Sequence, residues 1–170
     1  MVAHDHRVMM PQVRHQALPL LDVDRDPLIF VVGQPVVESH PFLGDGYSAY
    51  FMSVNRSKRS ITIDLAHPKG KALLLELAKQ SDVLVENFVP GTMAKLGLDY
   101  SVIEAHNPNI IYAAISGFGQ SGPYAKRPAL DIVVQAMGGI MSITGEPGGG
   151  PVRVGVSQGD IVSSLYCTIG

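Results

Sequence analysis

A single cysteine, Cys167, rules out any internal disulfide. Placed in an apolar, helix-like tail, it reads as an inert core residue and is compatible with a reducing, cytoplasmic setting. There is no excess of positive charge either. The chain sets 13 Lys and Arg against 15 Asp and Glu, a formal net charge of -2, so a generally basic nucleic-acid binder is not favoured. No apolar run approaches the roughly 18 residues a membrane helix needs, and residues 1–15 lack the apolar core of a secretory signal. A soluble protein without a membrane partner is therefore expected. Internal repeats and low-complexity tracts are missing as well. Four of the six histidines lie in residues 1–40, but His4 and His6 have no third ligand at a recognised spacing, so no metal site is expected.

What the chain does have is the make-up of an ordinary globular domain. Across 170 residues, 46% are hydrophobic and 16% charged, enough to bury one real core. Residues 1–40 are expected to be irregular, apart from a short strand-like run, Leu28 to Val32. The texture changes at Pro41. A basic turn, Asn55-Arg56-Ser57-Lys58-Arg59-Ser60, leads into Ile61-Thr62-Ile63-Asp64, whose β-branched alternation predicts a strand. Guanidinium and ammonium groups in such a turn can clamp phosphates, although on spacing alone a solvated turn is the plainer reading.

Pro68 suits the first turn of a helix, where its missing N–H costs nothing. Leu73, Leu74, Leu77 and Ala78 predict one buried stripe on that helix. The run Val83-Leu84-Val85 predicts a buried parallel strand that opens at Glu86-Asn87-Phe88 into a Pro90-Gly91 break, the kind of strand end where open α/β sheets bind ligands. Thr92 to Leu96 predicts a helical turn stopped by Gly97, and Asp99 the N-cap of a helix over Tyr100 to His106. Ile110 to Ser116 predicts a second buried strand running into the glycine-rich loop 117–123. That loop matches GxGxxG formally but leads to Pro123 instead of a helix, so a dinucleotide site is a weak reading. Leu130 to Ser142 predicts a helix with Asp131 in its first turn, Val152 to Val156 a strand, and Ile161 to Ile169 an apolar helix with Asp160 at its start, where a helix dipole favours an anion. Strands and helices alternate, the order of an α/β domain.

Three stretches carry a resemblance: residues 55–100, beginning NRSKRSITIDLAHP and containing SDVLVENFVPGTMAKLGLDY; then NPNIIYAAISGFGQSGP; then GEPGGGPVRVGVSQGD. Together and in this order they resemble family III CoA-transferases, a superfamily of formyl-CoA, carnitine and succinyl-CoA:dicarboxylate CoA-transferases and 2-methylacyl-CoA racemases. The resemblance covers about Pro41 to Gly170. It implies an α/β fold with a Rossmann-like, open, mostly parallel sheet and flanking helices, incomplete at both ends, with 41–170 as part of the large CoA-binding domain. It also implies that Asp160 is the nucleophile on an acyl-CoA thioester. Asn87, Phe88 and Lys95 would line the CoA site, Arg56, Lys58 and Arg59 would lie near CoA phosphates, and Ile63 and Leu65 would contact the adenine region. CoA is then a substrate, with a small carboxylate as acceptor and no permanently bound cofactor. Racemases of the superfamily place a histidine immediately before the residue matching Asp131; here Leu130 stands there, which argues against racemisation, since proton removal and return need two groups. The resemblance implies a homodimer for whole members. It also implies a further small domain that these residues do not include, so a truncated, inactive piece with part of a CoA surface is the alternative expectation.

Overall fold

The computed structural model describes the backbone of residues 29–32 and all of residues 48–170; His4, His6 and most of the segment 1–40 lie outside the described residues. Its centre is a parallel three-stranded sheet in the order β1-β2-β3. β1 is Ile29–Val32, β2 is Val83–Glu86 and β3 is Ile111–Ala114. β1 thus realises the strand-like run seen in the sequence. Val83 stands opposite Ile29 and Ile111, and Glu86 opposite Val32 and Ala114. Parallel strands of this kind must be joined by crossovers, and helices supply them. The fold is α/β, as the alternation predicts.

α1 (Ala49–Val54) precedes α2, Pro68–Lys79, which starts at the expected proline. His67 caps it, its Nδ1 accepting from the Lys69 N–H at 3.1 Å. Leu74 and Ala78 are fully buried on its inner face, but Leu73 is 44% exposed. Successive helical residues are turned by about 100°, so Leu73 cannot share a narrow stripe with Leu74. α3 (Thr92–Leu96) and α4 (Tyr100–His106) follow β2, with Asp99 Oδ1 accepting the Val102 N–H at 3.2 Å as the predicted cap. The core gathers Leu74 and Ala78 from α2, Leu84 from β2, Met93 from α3, Leu98, Ile103 from α4 and Ile110. Asn107 ties these layers together: its Nδ2 donates to the carbonyls of Ala78 at 2.9 Å and Ser81 at 2.8 Å, satisfying an acceptor at the end of α2.

Further expectations are corrected. Ile61 to Asp64 is not a strand, and the strand-helix-strand unit predicted from Ile61 to Val85 does not form; β1 takes the place beside β2. Alternation describes faces, not a ladder partner. This segment instead turns into α2 through Asp64, whose Oδ1 accepts the Ala66 N–H at 2.9 Å and the His67 N–H at 3.3 Å. β3 is not buried on both faces, since Ile111 at the sheet edge is 63% exposed. The helix predicted over 130–142 splits into α5, Asp131–Met137, and a 3₁₀ turn, Ile140–Ile143. Gly139, at φ 84°, takes the left-handed conformation that breaks the helix and turns the chain path. Val152 to Val156 forms no ladder; a buried side chain takes its polar groups, as described below.

The last helix, α6 (Gln158–Ile169), packs on α5 and has no fully buried residue. Leu165, Tyr166 and Ile169 are 57%, 72% and 81% exposed. Cys167 on this helix is therefore partly exposed instead of being a core residue.

Leu84 is 0% exposed at the middle of the central strand. Leu84→Ala is expected to lower unfolding stability by about 2–5 kcal/mol through lost burial and a residual cavity, read from urea denaturation midpoints.

Candidate active site

The first part of the site is the carboxyl end of β2. Glu86 closes the strand with its side chain turned inward, 5% exposed, and its Oε2 accepts the Phe88 N–H at 2.7 Å. Burial pushes the Glu86 carboxyl up from its ordinary value, and the Phe88 hydrogen bond opposes that shift. This bond folds the chain back so that Asn87 points into solvent while Phe88 packs, half-buried, against the core. Tyr112 on β3, pushed up to about 12 by burial and by the nearby Glu86 and Asp99 charges, stays neutral at physiological pH. Lys95 is exposed on the last turn of α3.

The second part lies where α5 meets α6. Asp131 opens α5, and its side chain is 9% exposed. Its Oδ2 accepts from Arg153 Nη2 at 2.8 Å, Arg153 Nε at 3.3 Å and Gln135 Nε2 at 2.8 Å. Its Oδ1 accepts the Gly159 N–H at 2.8 Å. Desolvation works against its ionised form, yet the bonds from Arg153, Gly159 and Gln135 prevail and hold the carboxyl below the usual range. Gly159 can approach because it lacks a side chain; a Cβ there would sit 3.3 Å from both Asp131 Oδ1 and Val134 Cγ1. The next residue, Asp160, stands in the first turn of α6 and faces an open concavity of about 380 Å³ lined by Leu130, Asp131, Ile132 and Arg153. Burial and then the Asp131 charge push the Asp160 carboxyl up, with Arg153 pulling the other way. The helix start expected to favour its ionised form is thus outweighed, first by burial and then by a neighbouring anion. Among the described residues no cluster of three or more His, Cys, Asp or Glu is placed to hold a metal.

The eight residues expected around CoA fall elsewhere. Arg56, Lys58 and Arg59 are exposed on the turn between α1 and α2, Lys58 Nζ donating to Asn55 Oδ1 at 3.2 Å. Ile63 and Leu65 are half-buried, Leu65 against the core cluster that Phe88 also touches. None of the eight lines the concavity that holds Asp160. Reading the sequence missed Gln135 and Arg153. The signal for Gln135 is its place four residues after Asp131, one helical turn on; the signal for Arg153 was hidden, because nothing local marks its partner 22 residues away.

The chain falls in a known class. Residues 32–170 match CoA-transferase family III, most of the chain, and the chain belongs to that family. It is 48% identical over 135 residues to a succinate–glutarate CoA-transferase of Agrobacterium fabrum, covering 79% of this chain and 33% of that protein. Over 126 residues it is 46% identical to the human succinyl-CoA:glutarate CoA-transferase, covering 74% and 28%. Among solved structures, a CAIB/BAIF family protein from Brucella suis superposes with a TM-score of 0.76 at 42% identity, covering 84% of this chain and 40% of that one. The chain thus spans about a third of the length of the curated relatives it matches.

Glu86 supplies a test of the buried strand end. With its folded-state value raised, its contribution to stability is fully present below the ordinary value of about 4.3 and is lost as pH rises through the folded value. Glu86→Gln keeps an acceptor for Phe88 and removes the titration. Its stability relative to wild type should therefore climb as pH rises above the ordinary carboxylate range, followed by urea midpoints at several pH values. A difference that does not change with pH would show that Glu86 titrates as in the unfolded chain.

Proposed function

We propose that this protein moves CoA from an acyl-CoA to a small carboxylic acid, with Asp160 as the nucleophile. The observation that carries the reading is a carboxylate on the first turn of α6, open to a concavity beside Arg153, in a chain of this family. Asp160 attacks the thioester carbonyl; the carbon–sulfur bond breaks and CoA leaves as a thiolate, giving an aspartyl-acyl anhydride. The thiolate attacks the aspartyl carbonyl of that anhydride, releasing the donor acid as its carboxylate and leaving an aspartyl-CoA thioester. The acceptor carboxylate then repeats both steps in reverse, departing as the new acyl-CoA and returning Asp160 as a free carboxylate. Covalent catalysis of this kind divides one difficult transfer into easier ones. Short dicarboxylates are the proposed acceptors, after the succinate, glutarate and oxalate in the names of its relatives.

CoA is proposed to lie along the β2 end, with Asn87, Phe88 and Lys95 as its wall, Arg56, Lys58 and Arg59 near its phosphates, and Ile63 and Leu65 by its adenine. The solvent-facing cations and the half-buried apolar pair support this assignment. CoA enters and leaves as substrate. A homodimer in the cytoplasm completes the proposal; the exposed Leu165, Tyr166 and Ile169 on α6 offer apolar surface for association. A second reading, a CoA-binding surface without turnover, is favoured by one observation: the proposed CoA residues do not line the Asp160 concavity.

Exchange of label between succinyl-CoA and glutarate separates the two readings. Under the first, wild type exchanges and Asp160→Asn loses at least about a thousandfold in rate; exchange that survives in Asp160→Asn would remove Asp160 from the chemistry. Under the second, calorimetry detects CoA binding and no label moves. In either case Lys58→Ala with Arg59→Ala should weaken CoA binding about tenfold, the equivalent of one lost charge-assisted hydrogen bond, and an unchanged Kd would move the phosphates elsewhere.

A further inference from the structure

Gln135 is 0% exposed, in the middle of α5, and its side chain is fully engaged. Its Nε2 donates to Asp131 Oδ2 at 2.8 Å and to the Val156 carbonyl at 3.2 Å, and its Oε1 accepts the Val154 N–H at 2.9 Å. One primary amide therefore ties down residues 154–156, taking one N–H and one C=O of a segment that bends at Gly155 and Val156. Three residues on, the Gly159 N–H is fixed by the same Asp131 carboxylate, and Asp160 follows directly. Both anchors of the segment that delivers Asp160 thus converge on the pair Asp131 and Gln135. We propose that Gln135 is a positioning residue for Asp160: it holds the 154–159 connection so that the Asp160 carboxylate is presented to the concavity at a set distance from Asp131 and Arg153. The link to catalysis rests on the reading of Asp160 as the nucleophile; the geometric role does not.

A residue that merely filled space would lower stability and leave Asp160 alone in the folded protein. A positioning residue changes the surroundings of Asp160. The groups lining its concavity are Asp131 on α5, Arg153 on the 152–156 segment, and the apolar Leu130 and Ile132. Releasing the segment moves Asp160 away from Asp131 and toward water, and both changes favour its ionised form.

The test uses the full chain, with the Asp160 carboxyl carbon followed by NMR as pH is varied, and label exchange between succinyl-CoA and glutarate as the kinetic readout. In Gln135→Met, of similar volume and without the bonds, the Asp160 midpoint should fall toward the ordinary carboxylate range, while kcat drops about 10- to 100-fold and KM stays close to wild type. Arg153→Met removes the cation and should shift the midpoint the other way, upward. Should Gln135→Met fail to fold, Gln135→Asn, which keeps the amide on a shorter stem that cannot span both partners, carries the same expectation. A folded variant whose Asp160 midpoint and kcat match wild type overturns the proposal. A wild-type chain with no exchange refutes the functional reading alone, because the midpoint shift still decides the role of Gln135.

Discussion

The Asp131 carboxylate sits almost out of water, and the geometry of everything C-terminal to α5 depends on how that charge is satisfied. A buried carboxylate without partners would be strongly destabilising. Here Arg153, Gln135 and the Gly159 N–H donate to its two oxygens, and each donor belongs to a different stretch of chain: the 152–156 segment, α5 itself and the first turn of α6. The Arg153 side chain is 41% exposed, so the ion pair is partly solvated and its net Coulomb gain is modest. Its value is therefore better sought in the specificity of the arrangement than in net stability. Removing any one donor leaves the remaining charge underpaired and frees one of the three stretches.

That constraint explains residue choices which otherwise look unrelated. Gly159 is the residue before Asp160, and a Cβ there would press on Asp131 Oδ1 and Val134 Cγ1 at 3.3 Å, so the small residue eases the approach of its N–H to Asp131. Gly139 ends α5 two residues after Met137, so the chain can turn back through the 3₁₀ segment and bring Arg153 to the start of α5. Met141 contributes at the same place, its carbonyl accepting the Val152 N–H at 3.1 Å just before the arginine. The helix break, the arginine and the glycine thus form one device for closing a loop onto an aspartate.

Those long-range ties are also where sequence reading lost its grip. Elements specified by neighbours in the chain were legible: Pro68 at the start of α2, Asp99 as a cap, Gly97 after α3, and Asp160 in the first turn of α6. Each is set by residues within about a turn of it in the chain. The alternating runs at 61–64 and 152–156 were read as strands because alternation is the signal of a strand, yet neither has a ladder. The second has one N–H and one C=O taken by Gln135, some twenty residues earlier, and nothing in the sequence near Gln135 marks these two distant partners. Family resemblance and the first-turn positions point to Asp160 and Asp131 in the sequence, while the tie of Arg153 to Asp131 is visible only in the fold.

The electrostatics of Asp160 connect this scaffold to the proposed chemistry. Burial and the Asp131 charge both disfavour its ionised form, and Arg153 only partly offsets them. Any reaction that neutralises Asp160 relieves that strain, whether a proton or an acyl carbon takes up the electron pair. The physical cause that raises its proton affinity therefore also favours formation of an aspartyl anhydride or thioester, both of which are neutral at that oxygen. The gain is reversed when Asp160 is released as a carboxylate, so a large shift would trap the covalent intermediate. A transfer that must run in both directions needs the opposing pull of Arg153 to keep the two states close in free energy. With Asp160 as the proposed nucleophile, Asp131 and Arg153 would act as a matched pair, one charge pressing it to react and the other allowing it to be set free.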